Sequence, residues 1–139
     1  MDERQHENEK TKKDQVAFDW VTTRSQCSLP KVFYTLRTQV EQDVETRNSL
    51  RPENAPYEFK VTENTDNFKV LLESESVSDS VTFSLSERSI IVRDGNQNQI
   101  FELTVTFGDD GKCKLYVDAE EREFWQVRRM ALEGLMFRA

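Results

Sequence analysis

Between residues 57 and 118, apolar and polar side chains alternate with a period of two. Tyr57, Phe59 and Val61 are separated by Glu58 and Lys60, Phe68, Val70 and Leu72 by Lys69 and Leu71, and Val81, Phe83 and Leu85 by Thr82 and Ser84. Ile90 and Val92 flank Ile91. Phe101, Leu103 and Val105 alternate with Glu102 and Thr104, and Cys113, Leu115 and Val117 with Lys114 and Tyr116. Successive strand side chains point to opposite faces, so each segment has one apolar and one largely polar face. Strands buried on both faces would read as unbroken apolar runs. The stretches between them, 63–67, 86–89, 94–98 and 108–111, are short and rich in Asn, Asp, Ser and Gly, as hairpin connections are. The pattern predicts a six-stranded antiparallel meander with one covered face.

The period changes on either side of this block. Over 29–48, Leu29, Val32, Phe33, Leu36, Val40 and Val44 form a stripe at helical spacing. Ser28 is a suitable N-cap, and Pro30 stands in the first turn, where its missing N–H costs nothing. A proline-bounded linker, 50–56, leads into the sheet. After the sheet, Asp118 is expected to cap a second helix, with Glu121 in capping-box position. Phe124, Val127, Ala131 and Leu135 define its apolar face, flanked by Trp125, Leu132 and Met136, and Gly134 is expected to mark a close approach to another element. Residues 15–27 are ambiguous. Val16, Phe18 and Trp20 alternate like a strand, Val16, Trp20 and Val21 could share one side of a helix, and Thr22 and Thr23 tip the balance towards extended chain. In either form Phe18 and Trp20 are expected to pack on the body. The fold class is therefore α+β: an N-terminal helix, the meander and a C-terminal helix, with both helices on one face. Residues 15–139 are expected to form one domain behind a disordered polar tail, 1–14.

Composition narrows the function classes. The 139-residue chain has a net charge of −7, from 26 acids against 19 Lys and Arg. This argues for solubility and against nucleic-acid or anionic-membrane partners. No apolar run approaches the roughly 20 residues of a membrane span. The first residues have no apolar core of an export signal, so the two cysteines are expected to be free thiols in a reducing cytoplasm.

Catalytic groups are scarce. The single histidine, His6, lies in the polar tail, so no Ser-His-Asp or Cys-His arrangement can form in the body, and no histidine-based metal site. The four glycines build no phosphate loop. Cys113 reads as an inward-facing buried side chain of the last strand. Cys27 precedes the helix N-cap, where a thiol could be activated, but no base is in reach. Asp109 and Asp110 lie in a Gly-flanked turn, where backbone geometry favours Asp without any metal. No enzyme activity, metal or cofactor is expected. Lys112 and Lys114 are too few to form a nucleic-acid stripe.

Two charges stand where apolar residues would be expected. Arg128 lies inside the stripe of the last helix and Asp43 at the edge of the first helix's stripe. Buried charges are normally paired, which predicts an interhelical ion pair; the alternative is an Arg128 that lays its stem over apolar surface and reaches water. On the outer sheet face, Leu71, Ile91 and Tyr116 would make a docking patch if the strands align them.

Finally, six strands at about 4.8 Å span roughly 29 Å, more than two helices of about 10 Å cover. Residues 15–27, a curled sheet or a second copy of the chain must cover the rest. The leading expectation is a non-catalytic protein-binding module, with itself as a possible partner. A second is a small-ligand binder with a pocket between curled sheet and helices, walled by Trp20, Tyr34, Phe59, Phe83, Trp125 and Arg128. A third is an acidic inhibitor of a nucleic-acid-binding protein, for which the acids are too evenly interleaved with bases.

Overall fold

A computed structural model describes residues 17–138; the polar tail expected over 1–14 lies outside them. The elements are α1 (Trp20–Gln26), α2 (Leu29–Ser49), β1 (Tyr57–Glu63), β2 (Asn67–Ser74), β3 (Ser78–Leu85), β4 (Ile90–Asp94), β5 (Gln99–Phe107), β6 (Cys113–Val117), β7 (Glu120–Arg122) and α3 (Phe124–Met136). The fold is α+β. All seven strands form one antiparallel sheet in sequence order.

The seventh strand corrects the expected six. Asp118 and Ala119 take φ of 51° and 69°, the left-handed pair of a two-residue hairpin turn. The chain therefore folds back, and Glu120, Glu121 and Arg122 pair with Val117, Tyr116 and Leu115. Helix α3 starts later than expected, with Glu123 as N-cap, whose backbone N–H donates to Gln126 Oε1 at 2.8 Å. The ambiguous N-terminal segment is helical from Trp20, because Asp19 caps it by accepting from Thr22 N.

The predicted inward residues make the core. Phe68, Phe83, Val92 and Phe101 are successive cross-strand partners on β2 to β5. The rings of Phe68 and Phe83 stack at 4.5 Å, and Phe33 of α2 meets Phe68 at 5.2 Å. Leu36 and Val40 reach no solvent. Helix α2 packs on β1, β3 and β5. In a flat sheet β1 and β5 would lie roughly 19 Å apart at about 4.8 Å per strand. Helix α2, with 21 residues, is roughly 31 Å long. It reaches both by lying across the strands, with Asn48 near its end bonded to β1 and Cys27 before its start bonded to β6. A register shift at Val92/Arg93 interrupts the β4–β5 ladder. The length of α2 across the strands, together with α3 over β3, covers the width that was expected to need a further element.

The two cysteines are not free. Cys27, at the α1–α2 junction, is bonded to Cys113 at the start of β6. Cys113 was expected to be buried, but it is the first residue of β6, beyond the core, and it is exposed; Cys27 is the buried partner. The expected packing of Phe18 and Trp20 also fails, since they are 49% and 60% exposed. The Phe18 ring lies over Gly111, whose φ of +80° and lack of a Cβ both suit the tight turn beneath the ring. Gly134 does not mark a close approach, because a Cβ there would meet nothing within 4 Å.

The free edge of β1 is covered by side chains. Asn48 Nδ2 donates to Phe59 O at 2.8 Å and Asn48 Oδ1 accepts from Phe59 N at 2.9 Å. Arg51 donates to Tyr57 O. Asn48 thus bonds as a neighbouring strand would and blocks edge-to-edge pairing at that point.

Candidate functional site

Helices α2 and α3 meet along one line of polar contacts. Arg128 Nε donates to Asp43 Oδ2 at 2.6 Å and Arg128 Nη1 to Gln39 Oε1 at 2.8 Å. The two charges singled out in the sequence are therefore brought together, with Gln39 as a third partner. The pair is partly shielded and joins two helices that share little other contact.

Beside this pair the two helices line a groove of about 410 Å³. Its α2 wall is Asp43, Thr46, Arg47 and Leu50, and its α3 wall includes Trp125, Arg129, Leu132 and Met136, with Phe137 at the end. Both sets follow the three- and four-residue steps of one helix face. On α3 that face adjoins the Val127, Ala131 and Leu135 stripe, and its Leu132 and Met136 belong to the same buried core. Leu132 and Met136 are buried at the floor, whereas Leu50, Phe137 and Trp125 stand 68%, 64% and 50% exposed along the lips. Arg129 pairs with Glu133 at 3.2 Å on the exposed side.

Arg47 closes one end of the groove. Its Nε donates to Met136 O at 2.9 Å and its Nη2 to Tyr57 Oη at 3.4 Å. Its guanidinium carbon lies 5.0 Å from the ring centroid of Phe137, 5.3 Å from Phe59 and 5.7 Å from Tyr57. No carboxylate among the described residues lies within 4 Å of it. On its far side is a second cleft of about 400 Å³, between the β1–β2 end of the sheet and the end of α3.

Other predicted site residues are scattered. Trp20 is exposed on α1, and Tyr34 is exposed on α2 beneath the Arg37 guanidinium at 4.9 Å. Phe83 is sealed in the core, and Phe59 is buried at the floor of the second cleft. Leu71, Ile91 and Tyr116 are not aligned into a patch. Leu71 is flanked by Lys60 and Ser80, Ile91 by Ser84 and Glu102, and Tyr116 by Thr104 and Glu121. Three register rows separate them, each with polar neighbours.

The turn acids are occupied locally. Asp110 accepts from Lys112 N at 3.1 Å and pairs with Lys114 at 3.1 Å. The Lys114 hydrogen bond, then the Lys112 N–H, hold its carboxyl below the ordinary value. On the outer face Lys60 bridges Glu73 and Glu58, and these acids, Glu73 first, raise its ammonium pKa.

Sequence reasoning missed Arg47, Leu50 and Phe137. Arg47 reads as a routine polar helix position, Leu50 as linker and Phe137 as the residue after a helix. The available signal was helical phase: 43, 46, 47 and 50 share a face of α2 that is not its buried stripe.

No protein-family model matches the sequence, and it has no significant match among curated proteins or, by structure, among solved proteins.

Proposed function

We propose that this chain is a non-catalytic protein-binding module whose working surface is the groove between α2 and α3. The observation that carries the reading is the convergence of Leu50, Trp125 and Phe137, three large exposed apolar side chains, on a groove rimmed by Arg47, Arg128 and Arg129. Grouped exposed apolar side chains mark interaction sites, and Trp and Arg are the residues that most often dominate binding energy. The groove suits an amphipathic helical segment laid between two helices. Of its three cations, Arg128 and Arg129 are paired with Asp43 and Glu133, whereas Arg47 has no carboxylate partner among the described residues, so a carboxylate beside the segment's apolar face complements it. An isologous dimer would bring to Arg47 only a rim whose acids, Asp43 and Glu133, are already paired, and Asn48 blocks one sheet edge. Both favour an acidic segment of another protein over a second copy. The Cys27–Cys113 bond favours an oxidising compartment over the cytoplasm expected from the sequence.

Photo-crosslinking in the native host tests the reading, with the crosslinker placed at Leu50 or, for comparison, at Thr104 on the outer sheet face. A defined adduct from position 50, absent from position 104 and lost when Arg129→Glu and Trp125→Ser are added, is expected. Equal labelling from both positions, or an adduct indifferent to those changes, would contradict it.

A further inference from the structure

The second cleft lies on the other side of Arg47, which it shares with the groove together with Met136, and differs from the groove in chemistry. Its floor is Phe59, Leu72 and Leu135, all buried apolar side chains, and Val77 stands 43% exposed at its side. Arg47 and Tyr57 form the polar end. Of the cleft's other charges, Arg138 is paired with Asp79, and Glu75 is exposed.

Arg47 is a half-buried cation in a chain with more acids than bases. Its Nε is used by Met136 O and its Nη2 weakly by Tyr57, while Nη1 has no partner among the described residues. Three aromatic rings surround the guanidinium. Cation–ring contacts hold its plane but supply no counter-charge. A guanidinium with a free N–H edge matches a carboxylate in shape and charge, and the match strengthens where water is thinned. The volume of about 400 Å³ lies at the small end of ligand cavities, roughly 300–1,000 Å³. We infer that the cleft binds a small amphiphilic monocarboxylate, its acid on the Arg47 guanidinium and a medium-length hydrocarbon body on Phe59, Leu72 and Leu135.

Decanoate is a suitable probe, with decanol as its uncharged counterpart. Titration of the full chain, followed by calorimetry and by amide NMR shifts, is expected to show saturable decanoate binding below about 1 mM, within the range of weak small-ligand affinities. The shifts should centre on Tyr57, Phe59, Leu72 and Val77. Decanol is expected to bind roughly tenfold to hundredfold more weakly, the usual effect of one charged hydrogen-bonded contact. Arg47→Met should remove that preference, and Arg37→Met, which alters another ring-stacked arginine of α2, should keep it. Arg47→Met counts only if its thermal unfolding remains cooperative; otherwise the comparison of decanoate with decanol on the unaltered chain decides. No saturable binding, equal binding of acid and alcohol, or shifts centred elsewhere would each overturn the inference.

Discussion

Phe83 and Leu50 show how differently this chain treats large apolar side chains. Phe83 is fully buried, stacked on Phe68 and paired across strands with Phe68 and Val92. Leu50, just past the end of α2, is 68% exposed, and Trp125 and Phe137 keep it company across a groove. Inside the sheet, the two-residue period sets most inward side chains against the helices. Along the helix pair, α3 has one stripe for the core and a second facing the groove. The lesson is that burial follows from the two-residue period of the strands, and that three of the large apolar side chains left exposed, Leu50, Trp125 and Phe137, gather at one groove.

That contrast can be broken from the core side first. Phe83→Ala should cost about 3–5 kcal/mol, because it removes a fully packed ring and leaves a cavity; urea unfolding measures it. Next is the cross-link that fastens the α1–α2 junction to β6. The bond closes a separation of 86 residues, and losing a bridge over so long a loop typically costs about 2–5 kcal/mol. Cys27→Ser with Cys113→Ser, or reduction of the unaltered chain, should lower the unfolding free energy by that order. Asn48→Ala should cost about 1–3 kcal/mol, since it strips two hydrogen bonds from Phe59 at the edge of β1. It should also speed amide exchange at Phe59.

Closer to the groove the expected effect shrinks. Asp43→Ala removes the carboxylate from Arg128 but leaves Gln39 in place. For a partly exposed pair the loss should be about 1 kcal/mol, detectable as a small shift in the unfolding midpoint.

How much was legible in the sequence followed the same division. The strands, their inward residues and the stripe of α2 were readable because one repeating constraint acts on many positions. The Asp43–Arg128 contact was readable because a charge inside an apolar stripe needs a partner. Strand β7 was not, since Asp118 can start a helix as well as take a left-handed turn, and only three residues pair beyond it. The Cys27–Cys113 bond was hidden because the two residues are far apart in sequence and Cys113 looks like another inward strand position. The groove was the least legible. Arg47, Leu50 and Phe137 come from helix ends, where sequence pattern weakens, and they meet only once α2 and α3 lie side by side.

The central claim is that the exposed apolar side chains of the groove contribute little to folding and are left available for a partner. Equilibrium denaturation of the Leu50→Ser, Trp125→Ser double variant, run beside Phe83→Ala, tests it most directly. The account predicts a loss of no more than about 1.5 kcal/mol for the double variant, because both side chains are already half or more in water. A loss matching that of Phe83→Ala would show that the groove is part of the core, and would contradict the account.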